Sequence, residues 1–256
     1  MELSVEKKYI EEIPVLIVSD ATKKSEALPT VVYYHGFNGE KESSLTLAYK
    51  IAEKGLRVLL PESIFHGERR NNATQSEIEL GFWQIVLTNI KELQTIKNYL
   101  EKENLLLDGK LGIGGTSMGG ITTYGALRTY DWISTATVLM GTPSMSEYAQ
   151  VLIDRYNTNH DAQIPQKDVD AALALVSKYD ITKNLAALND RPLFIWHGDQ
   201  DAVVPIDYTR EFYKQVKEQY ANKDHVHFLE EKGRIHNISK LSMNEAAAWF
   251  EKYLKN

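Results

Sequence analysis

The sequence predicts a single α/β domain over residues 1–256, with a central, mostly parallel sheet that carries helices on both faces. Short apolar runs of strand length alternate along the chain with longer stretches of helical periodicity, which is typical of parallel strands joined by crossover helices. The length and the apolar content of 43% are enough for one sizeable core. No internal repeat and no low-complexity tract divides the chain.

Several segments have the character of strands. The first, at residues 5–18, alternates between apolar and polar side chains, and we expect it to form an antiparallel hairpin at the sheet edge. The remaining strand candidates are short and continuously apolar, as strands buried on both faces are. They lie at residues 30–34, 56–60, 110–114, 136–140, 192–196 and 225–229.

Helical patterns occupy the segments between these runs, at residues 43–54, 77–100, 118–129, 206–220 and 242–254. The stretch 142–190 breaks this rhythm, because it holds two or three helical patterns around a polar link. The patterns lie at residues 145–156, 169–179 and 181–188, and the link lies at 157–167. We expect a small helical insertion over one edge of the sheet, a lid in functional terms. One ordinary crossover helix followed by a long loop is the alternative.

The composition excludes several classes of protein. The formal net charge of −6 argues against nucleic acid as the main partner, because nothing in bulk neutralises phosphates. The absence of cysteine excludes disulfides, thiolate metal sites and a cysteine nucleophile. The chain shows neither a basic-then-apolar leader nor an apolar run of the roughly 20 residues that cross a bilayer. These features predict a cytoplasmic protein without a membrane partner and leave its oligomeric state open.

The strongest motif is GTSMG at residues 115–119, which fits G-x-S-x-G between a predicted strand and a predicted helix. Such a turn holds Ser117 in a strained conformation with its side chain exposed, and the glycines let the helix approach the strand. The helix start leaves the N–H of Met118 free for a developing oxyanion. A glycine-rich turn that merely contains a serine is the alternative. The glycines at 112–114 do not continue into a dinucleotide-binding motif, and no Walker loop occurs.

The motif HGFNG at residues 35–39 directly follows the strand at 30–34. A loop at this place can aim the N–H of Phe37 at the same point as the N–H of Met118. Two such donors are worth about 3 kcal/mol each in stabilising a tetrahedral oxyanion. A plain strand-to-helix turn is the alternative interpretation.

The motif HGDQDAVVP at residues 197–205 follows a late strand and offers two acids, Asp199 and Asp201. An acid at this place can reach a histidine on the next loop and hold its tautomer. We assign the role to Asp201, which lies further out on the loop. We expect Asp199 to brace the turn through hydrogen bonds to backbone N–H groups. Two solvated turn aspartates are the alternative.

The motif GRIHN follows the last predicted strand and supplies His236, on a loop where a mobile base belongs. Ser117, Asp201 and His236 therefore occur in the chain order that accompanies G-x-S-x-G. His225 and His227 lie on one face of a strand, but no third ligand accompanies them. We therefore predict no metal site and no cofactor.

The motifs HGFNG, GTSMGG, HGDQDAVVP and GRIHN resemble those of small bacterial α/β-hydrolases in the dienelactone-hydrolase and prolyl-oligopeptidase-like branch, over nearly the whole chain. The resemblance implies the α/β-hydrolase fold, with Ser117, Asp201 and His236 as the catalytic triad. The backbone N–H groups of Phe37 and Met118 would form the oxyanion hole. Dienelactone hydrolases proper use a cysteine nucleophile, so the serine here places the resemblance on the esterase side.

The segment PESIFHGER at residues 61–69 is similar to a loop of that family which usually reads P-D-x-x-x-H-G-x-R. Glu62 replaces the aspartate here, which changes the hydrogen bonding expected of the loop. We interpret His66 and Arg69 as side chains that brace the structure.

The resemblance implies a serine carboxylic-ester hydrolase that acts on small or medium acyl esters through an acyl-enzyme. A serine peptidase or amidase of the same branch is one alternative, although the β-propeller of the prolyl oligopeptidases is missing. A hydrolase-fold binding protein without turnover is the other. Candidate pocket walls are aromatic and apolar residues near the motifs, although such residues are more often core. They are Phe37, Phe65, Phe82, Met145, Tyr148 and Val203.

Overall fold

Eight strands form one sheet in the computed structural model of the protein, which describes residues 1–159 and 163–255. The strands are β1 (Leu3–Ile10), β2 (Ile13–Asp20), β3 (Leu28–Tyr34), β4 (Arg57–Pro61), β5 (Leu106–Thr116), β6 (Thr135–Leu139), β7 (Leu193–Gly198) and β8 (Val226–Glu231). Their order across the sheet is β1-β2-β4-β3-β5-β6-β7-β8. β1 and β2 form an antiparallel hairpin, β2 runs antiparallel to β4, and the other neighbours are parallel. The predicted fold class, with its edge hairpin, is confirmed.

Eight α-helices lie in the described residues. They are α1 (Leu45–Ala52), α2 (Gln75–Leu80), α3 (Phe82–Lys102), α4 (Met118–Thr129), α5 (Met145–Asn159), α6 (Gln166–Val176), α7 (Ile206–Gln219) and α8 (Lys240–Leu254). Short 3₁₀ turns lie at Lys41–Ser44, Gly67–Arg69, Ile181–Lys183, Leu185–Leu188 and Lys223–His225. None of the helices in the described part of the chain is long and apolar enough to span a membrane.

The helix predicted at residues 77–100 is two helices that meet at Gly81. The ring of Phe65 packs against this glycine, where an added Cβ would lie 3.1 Å from the ring. The first helix begins earlier than predicted because Thr74 and Glu77 form a capping box, in which each side chain accepts the backbone N–H of the other. Periodicity alone did not indicate this break.

The sheet is packed between two helical layers. Alternate residues of each strand point to opposite faces, so that Val31 packs with α1 and α8 while its neighbour Val32 packs with α3, α4 and α7. Both valines are fully buried. The sheet therefore has two open edges formed by strand ends, which we call rims. The carboxyl ends of the parallel strands all lie at one of them, the carboxyl rim.

The insertion at residues 142–190 contributes α5 and α6 above the carboxyl rim. An apolar cluster joins α5 to α3 and α4 through Met145, Tyr148 and Ala149. The third helical pattern, at 181–188, forms two 3₁₀ turns, and the side chain of Asp180 caps the first. Part of the polar link, at 160–162, lies outside the described residues. That this insertion acts as a lid stays a prediction.

Candidate active site

Ser117 lies at the sharp turn between β5 and α4, on the carboxyl rim of the sheet. Its backbone angles are φ 55° and ψ −112°, a region that side chains other than glycine seldom occupy. The N–H of Ser117 donates to the carbonyl oxygen of Leu139 at 2.8 Å, which ties the turn to the end of β6. Ser117 thus stays outside the helical conformation of α4, and its hydroxyl projects from the carboxyl rim.

The glycines around Ser117 allow backbone to contact backbone. A Cβ at Gly119 would overlap the carbonyl oxygen of Tyr34 at the end of β3. A Cβ at Gly115 would overlap the carbonyl group of Gly119. The first turn of α4 therefore packs directly on β3 and β5, and only glycine fits at these two positions.

The side chains of Ser117, His236 and Asp201 form one hydrogen-bonded chain. Ser117 Oγ lies 2.8 Å from His236 Nε2. His236 Nδ1 lies 2.6 Å from Asp201 Oδ2. In the tautomer that donates from Nδ1 to the carboxylate, Nε2 is free to accept the proton of the hydroxyl. Sequence reasoning named these three residues, and the structure brings them together from three loops.

Asp201 is buried and accepts several hydrogen bonds. Its Oδ1 accepts the N–H groups of Val203 and Val204, both at 2.9 Å. Its Oδ2 also lies 3.1 Å from His197 Nε2. Burial by itself raises the pKa of this carboxyl, but the bonds from His197, His236 and the Val204 N–H outweigh it and hold the pKa well below its ordinary range. The group is therefore a carboxylate at neutral pH.

His197 is a second histidine on this carboxylate, and sequence reasoning missed its contact. The ring is fully buried, with Nδ1 3.1 Å from Thr209 Oγ1 and Nε2 3.0 Å from the carbonyl oxygen of Val204. Its contact with Oδ2 of Asp201 helps to hold the carboxylate in one orientation. The sequence feature that could have indicated this contact is the position of His197 at the end of β7, directly before the turn that carries Asp201.

Asp199 lies on the same turn but bonds elsewhere. Its Oδ1 accepts the N–H of Gly233 at 2.5 Å, and Gly233 belongs to the loop that carries His236. Asp199 therefore ties the loop of the acid to the loop of the histidine. This is a bond to backbone, as expected of a bracing residue, although its partner lies on the neighbouring loop.

The loop at residues 35–39 lies against the nucleophile. A Cβ at Gly36 would lie 3.6 Å from the Cβ of Ser117. The N–H groups of Phe37 and Met118 have no acceptor within residues 1–159 and 163–255. Two free backbone donors thus lie on the two segments that flank Ser117, which is the arrangement an oxyanion hole needs.

Two histidines fix this loop. His66 Nε2 accepts the N–H of Asn38 at 3.2 Å, and His66 Nδ1 lies 2.9 Å from the carbonyl oxygen of Ile64. His35 Nδ1 lies 2.9 Å from the carbonyl oxygen of Gly36. Burial lowers the pKa of His66, which favours the neutral ring that can accept the Asn38 N–H. The histidine of the PESIFHGER segment therefore braces the loop that carries Phe37.

Glu62, the residue that departs from the family pattern, is fully buried in the same region. Its carboxylate forms an ion pair with Lys41 at 3.0 Å and lies 3.3 Å from His35 Nε2. Arg69 donates to the carbonyl oxygen of Glu62 at 2.9 Å and pairs with Glu92 at 2.6 Å. The glutamate side chain, which is longer than the aspartate of the family pattern, is thus buried with both carboxylate oxygens paired.

A cleft of about 320 Å³ opens beside Ser117. Of the predicted wall residues, Phe37, Phe82, Tyr148 and Val203 line it. Two do not. Met145 is fully buried in the apolar cluster, and Phe65 packs against Gly81 and lines other depressions outside the cleft.

The cleft has further walls that sequence reasoning missed. Ile121 from α4 and Glu79 from α2 contribute, and α5 supplies more lining residues than any other element, five of the eleven. The α5 residues are Tyr148, Leu152, Arg155, Tyr156 and Asn159. Their spacing of three and four residues from Tyr148 onward is the signal that indicates one helical face.

No group of three or more potential metal ligands occurs among the residues that the structure describes. The two histidines predicted on the last strand have other partners, and His225 lies in the 3₁₀ turn before β8. His225 Nδ1 lies 2.8 Å from the carbonyl oxygen of Asp190, and the ring of His227 stacks on Phe194.

Comparison with known proteins places this geometry in a family. The model of the prolyl oligopeptidase family matches residues 88–256, the part that carries the serine, the acid and the histidine. The chain is 37% identical to YitV of Bacillus subtilis, which is named as an esterase, over 98% of this chain and 100% of YitV. It is 29% identical to the esterase YjfP of Escherichia coli, over 98% of this chain and 100% of YjfP.

Among solved structures, the chain is similar to TT1662 from Thermus thermophilus, with a TM-score of 0.79 and 19% sequence identity over the whole of both chains. A structural match at this identity supports the fold alone. Together with the full-length relatives, it confirms the resemblance inferred from the motifs. The chain belongs to the prolyl oligopeptidase family and is a serine hydrolase with the α/β-hydrolase fold.

Proposed function

We propose that the protein hydrolyses small and medium carboxylic esters, with Ser117 as nucleophile, His236 as general base and acid, and Asp201 as the acid that orients the histidine. The observation that carries this proposal is the unbroken chain of hydrogen bonds from Ser117 Oγ through His236 to Asp201 Oδ2. Its position at a strained turn, next to two free N–H groups, supports acyl transfer.

The reaction proceeds through an acyl-enzyme. Ser117 Oγ attacks the ester carbonyl while its proton passes to His236 Nε2, and the N–H groups of Phe37 and Met118 bind the oxyanion. His236 then gives the proton to the leaving oxygen, which departs as the alcohol. Water attacks the acyl group and gives a proton to His236. That proton returns to Ser117 Oγ as the carboxylic acid leaves.

The cleft supports an acyl group of modest size. Its volume of about 320 Å³ lies at the lower end of ligand pockets, and aromatic and aliphatic side chains supply much of its wall. Phe37, Phe82 and Ile121 are apolar lining residues of the kind that contact an acyl chain. The proposed partner is therefore a small-molecule ester, and a cytoplasmic location stays a prediction.

Labelling with a fluorophosphonate probe and hydrolysis of p-nitrophenyl acetate test the triad. We expect Ser117→Ala to abolish labelling and to lower kcat by about 10⁴-fold or more, because no other group supplies the nucleophile. Asp201→Asn should lower kcat by about 10⁴-fold, because it leaves the histidine in the wrong tautomer.

Ser76→Ala, at an exposed serine of α2 outside the cleft, is the matched control and should behave as the wild type. Labelling that persists in Ser117→Ala would contradict the assignment of the nucleophile. A wild-type protein that neither reacts with the probe nor cleaves esters would be a binding protein instead.

Peptide or amide hydrolysis is the second candidate, favoured by membership of a family named for an oligopeptidase. Matched p-nitrophenyl esters and p-nitroanilides of the same acyl group separate the two activities. We expect kcat/KM to be higher for the esters. A preference for the anilides would replace the proposal.

A further inference from the structure

Arg155 places a positive charge in the cleft that contains Ser117. It lies on α5, one to two turns beyond Tyr148 and Leu152 on the same face, and its side chain is exposed to the cleft and solvent. The only other charged residue of the described lining is Glu79. The proposed ester hydrolysis makes no use of this guanidinium.

The contacts of Arg155 locate it close to the catalytic acid. Its Nη1 donates to the carbonyl oxygen of Val203 at 3.3 Å, and the hydroxyl of Tyr148 donates to the same oxygen at 3.4 Å. The N–H of Val203 is one of the donors to Asp201. One peptide segment therefore separates the guanidinium from the carboxylate of the triad.

The remaining donors of Arg155 have no protein acceptor within the described residues, and no carboxylate there pairs with it. Some other exposed or half-buried arginines pair with carboxylates, whereas Arg70 and Arg128, both outside the cleft, have no such partner among the described residues. Arg69 binds Glu92 through both terminal nitrogens, and Arg210 binds Glu230 through Nε and Nη2. A planar guanidinium with free donors matches a carboxylate in two parallel hydrogen bonds.

The surroundings strengthen such a contact. Phe37, Phe82 and Leu152 form apolar wall of the same cleft, and a charge pair inside a cleft with apolar walls is less screened than one on an open surface. Tyr148 and Arg155 donate to the same carbonyl oxygen, so the positive charge lies next to the wall that Tyr148 forms.

We infer that the preferred substrates are esters that carry an anionic group, a carboxylate above all, a few atoms from the scissile carbonyl, and that Arg155 binds this group. This inference rests on the proposed function and names its substrate class. Arg155 is then a specificity residue that touches substrate. The rival interpretation is mechanical: Arg155 merely fastens α5 to the loop at Val203.

Two pairs of isosteric substrates separate these interpretations. The first pair is p-nitrophenyl glutarate, with a free carboxylate, and neutral p-nitrophenyl 5-methylhexanoate. The second places the charge on the alcohol, in the butyrate esters of 4-hydroxybenzoate and 4-hydroxybenzamide. The measured quantity is the ratio of kcat/KM for the anionic ester to that for the neutral ester, in the wild type and in Arg155→Met.

We expect the wild type to prefer the anionic member of one pair, and Arg155→Met to lower that ratio about tenfold, as for a hydrogen bond to a charged group. Arg155→Lys should give an intermediate ratio, because it keeps the charge but not the planar fork. Glu79→Gln should raise the ratio about twofold, since it removes a repelling charge from the same cleft. Arg210→Met, outside the cleft, should leave the ratio unchanged.

An equal loss on both members of a pair in Arg155→Met would support the mechanical role and overturn the inference. A ratio that does not change in any variant would overturn it as well. In both cases the neutral esters still turn over, so ester hydrolysis itself stands. Failure of the wild type on all four esters would instead refute the proposed function, and the inference with it.

Discussion

At Ser117 the polypeptide holds a non-glycine residue at positive φ, and the neighbouring glycines determine how closely the helix behind it can approach. A Cβ at Gly119 would overlap the backbone of Tyr34, whereas a Cβ at Gly120, the next residue, would only come close to a side chain and to the backbone of Gly141. A Cβ at Gly120 would lie 3.0 Å from Val138 Cγ1 and 3.1 Å from Gly141 Cα. The two glycines therefore serve different purposes although they are adjacent.

We expect Gly119→Ala to lower the free energy of unfolding by about 3 kcal/mol and kcat by at least about a hundredfold, because backbone cannot yield to the new methyl group. Gly120→Ala is the matched control, and its cost should be about 1 kcal/mol. Urea unfolding and p-nitrophenyl ester hydrolysis measure the two quantities. A Gly119→Ala protein with unchanged activity would contradict the packing described at the turn.

Much of the site could be predicted at this scale, because each motif fixes local backbone chemistry. G-x-S-x-G located the turn, and the chain order located the acid and the histidine. Pocket walls were harder to predict. Met145 and Phe65 are as apolar as Phe82, and only packing decides that Phe82 faces the cleft while Met145 is buried. His197 was missed because its contact with Asp201 depends on the side-chain geometry of the turn.

At the scale of elements, α5 supplies one wall of the cleft and closes it against α2 and α3. The helical periodicity of α5 could be predicted from the sequence. Which face of this helix lines the cleft beside Ser117 depends on how the insertion folds over the carboxyl rim. The break at Gly81 likewise depends on the ring of Phe65, which comes from a distant loop. Element existence was therefore predictable, whereas element orientation was set by tertiary contacts.

Leu152→Trp should narrow the cleft and shift the preference towards short acyl chains. We expect kcat/KM for p-nitrophenyl octanoate to fall about tenfold or more relative to the acetate, because overpacking one wall excludes the longer chain. Leu175→Trp is the control, since Leu175 is exposed on α6 and lies outside the cleft lining. An unchanged chain-length profile in Leu152→Trp would show that the acyl group lies elsewhere.

At the scale of the whole molecule, one rim of the sheet carries the candidate site and the other carries contacts that stabilise the fold. The carboxyl rim holds the site, and the opposite rim holds Arg57, which is 1% exposed. Its guanidinium donates to the carbonyl oxygens of Leu105, Lys24 and Glu26. A buried arginine with no carboxylate partner in the described part of the chain thus ties loops together at the end of the sheet far from Ser117. Sequence reasoning could not identify it, because such loop carbonyls converge only in the folded chain.

We expect Arg57→Met to lower the free energy of unfolding by about 3 kcal/mol, because it leaves buried carbonyls without donors. The kcat of the folded fraction should stay as in the wild type. Arg210→Met, which breaks an exposed pair, should change stability by less than about 1 kcal/mol. Thermal unfolding alongside ester hydrolysis at 25 °C checks both; a parallel loss of kcat would contradict the division between the rims.

The strand order also governs when during synthesis the site can exist. β8 is the outermost strand on its side of the sheet, and His236 follows it in the chain. A nascent polypeptide that ends before this loop already holds Ser117 and Asp201 but lacks the proposed base, His236. We expect such intermediates to be inactive, and the uncovered edge of β7 exposes them to mispairing. Hydrolytic competence and protection of that edge arrive with the same stretch of chain.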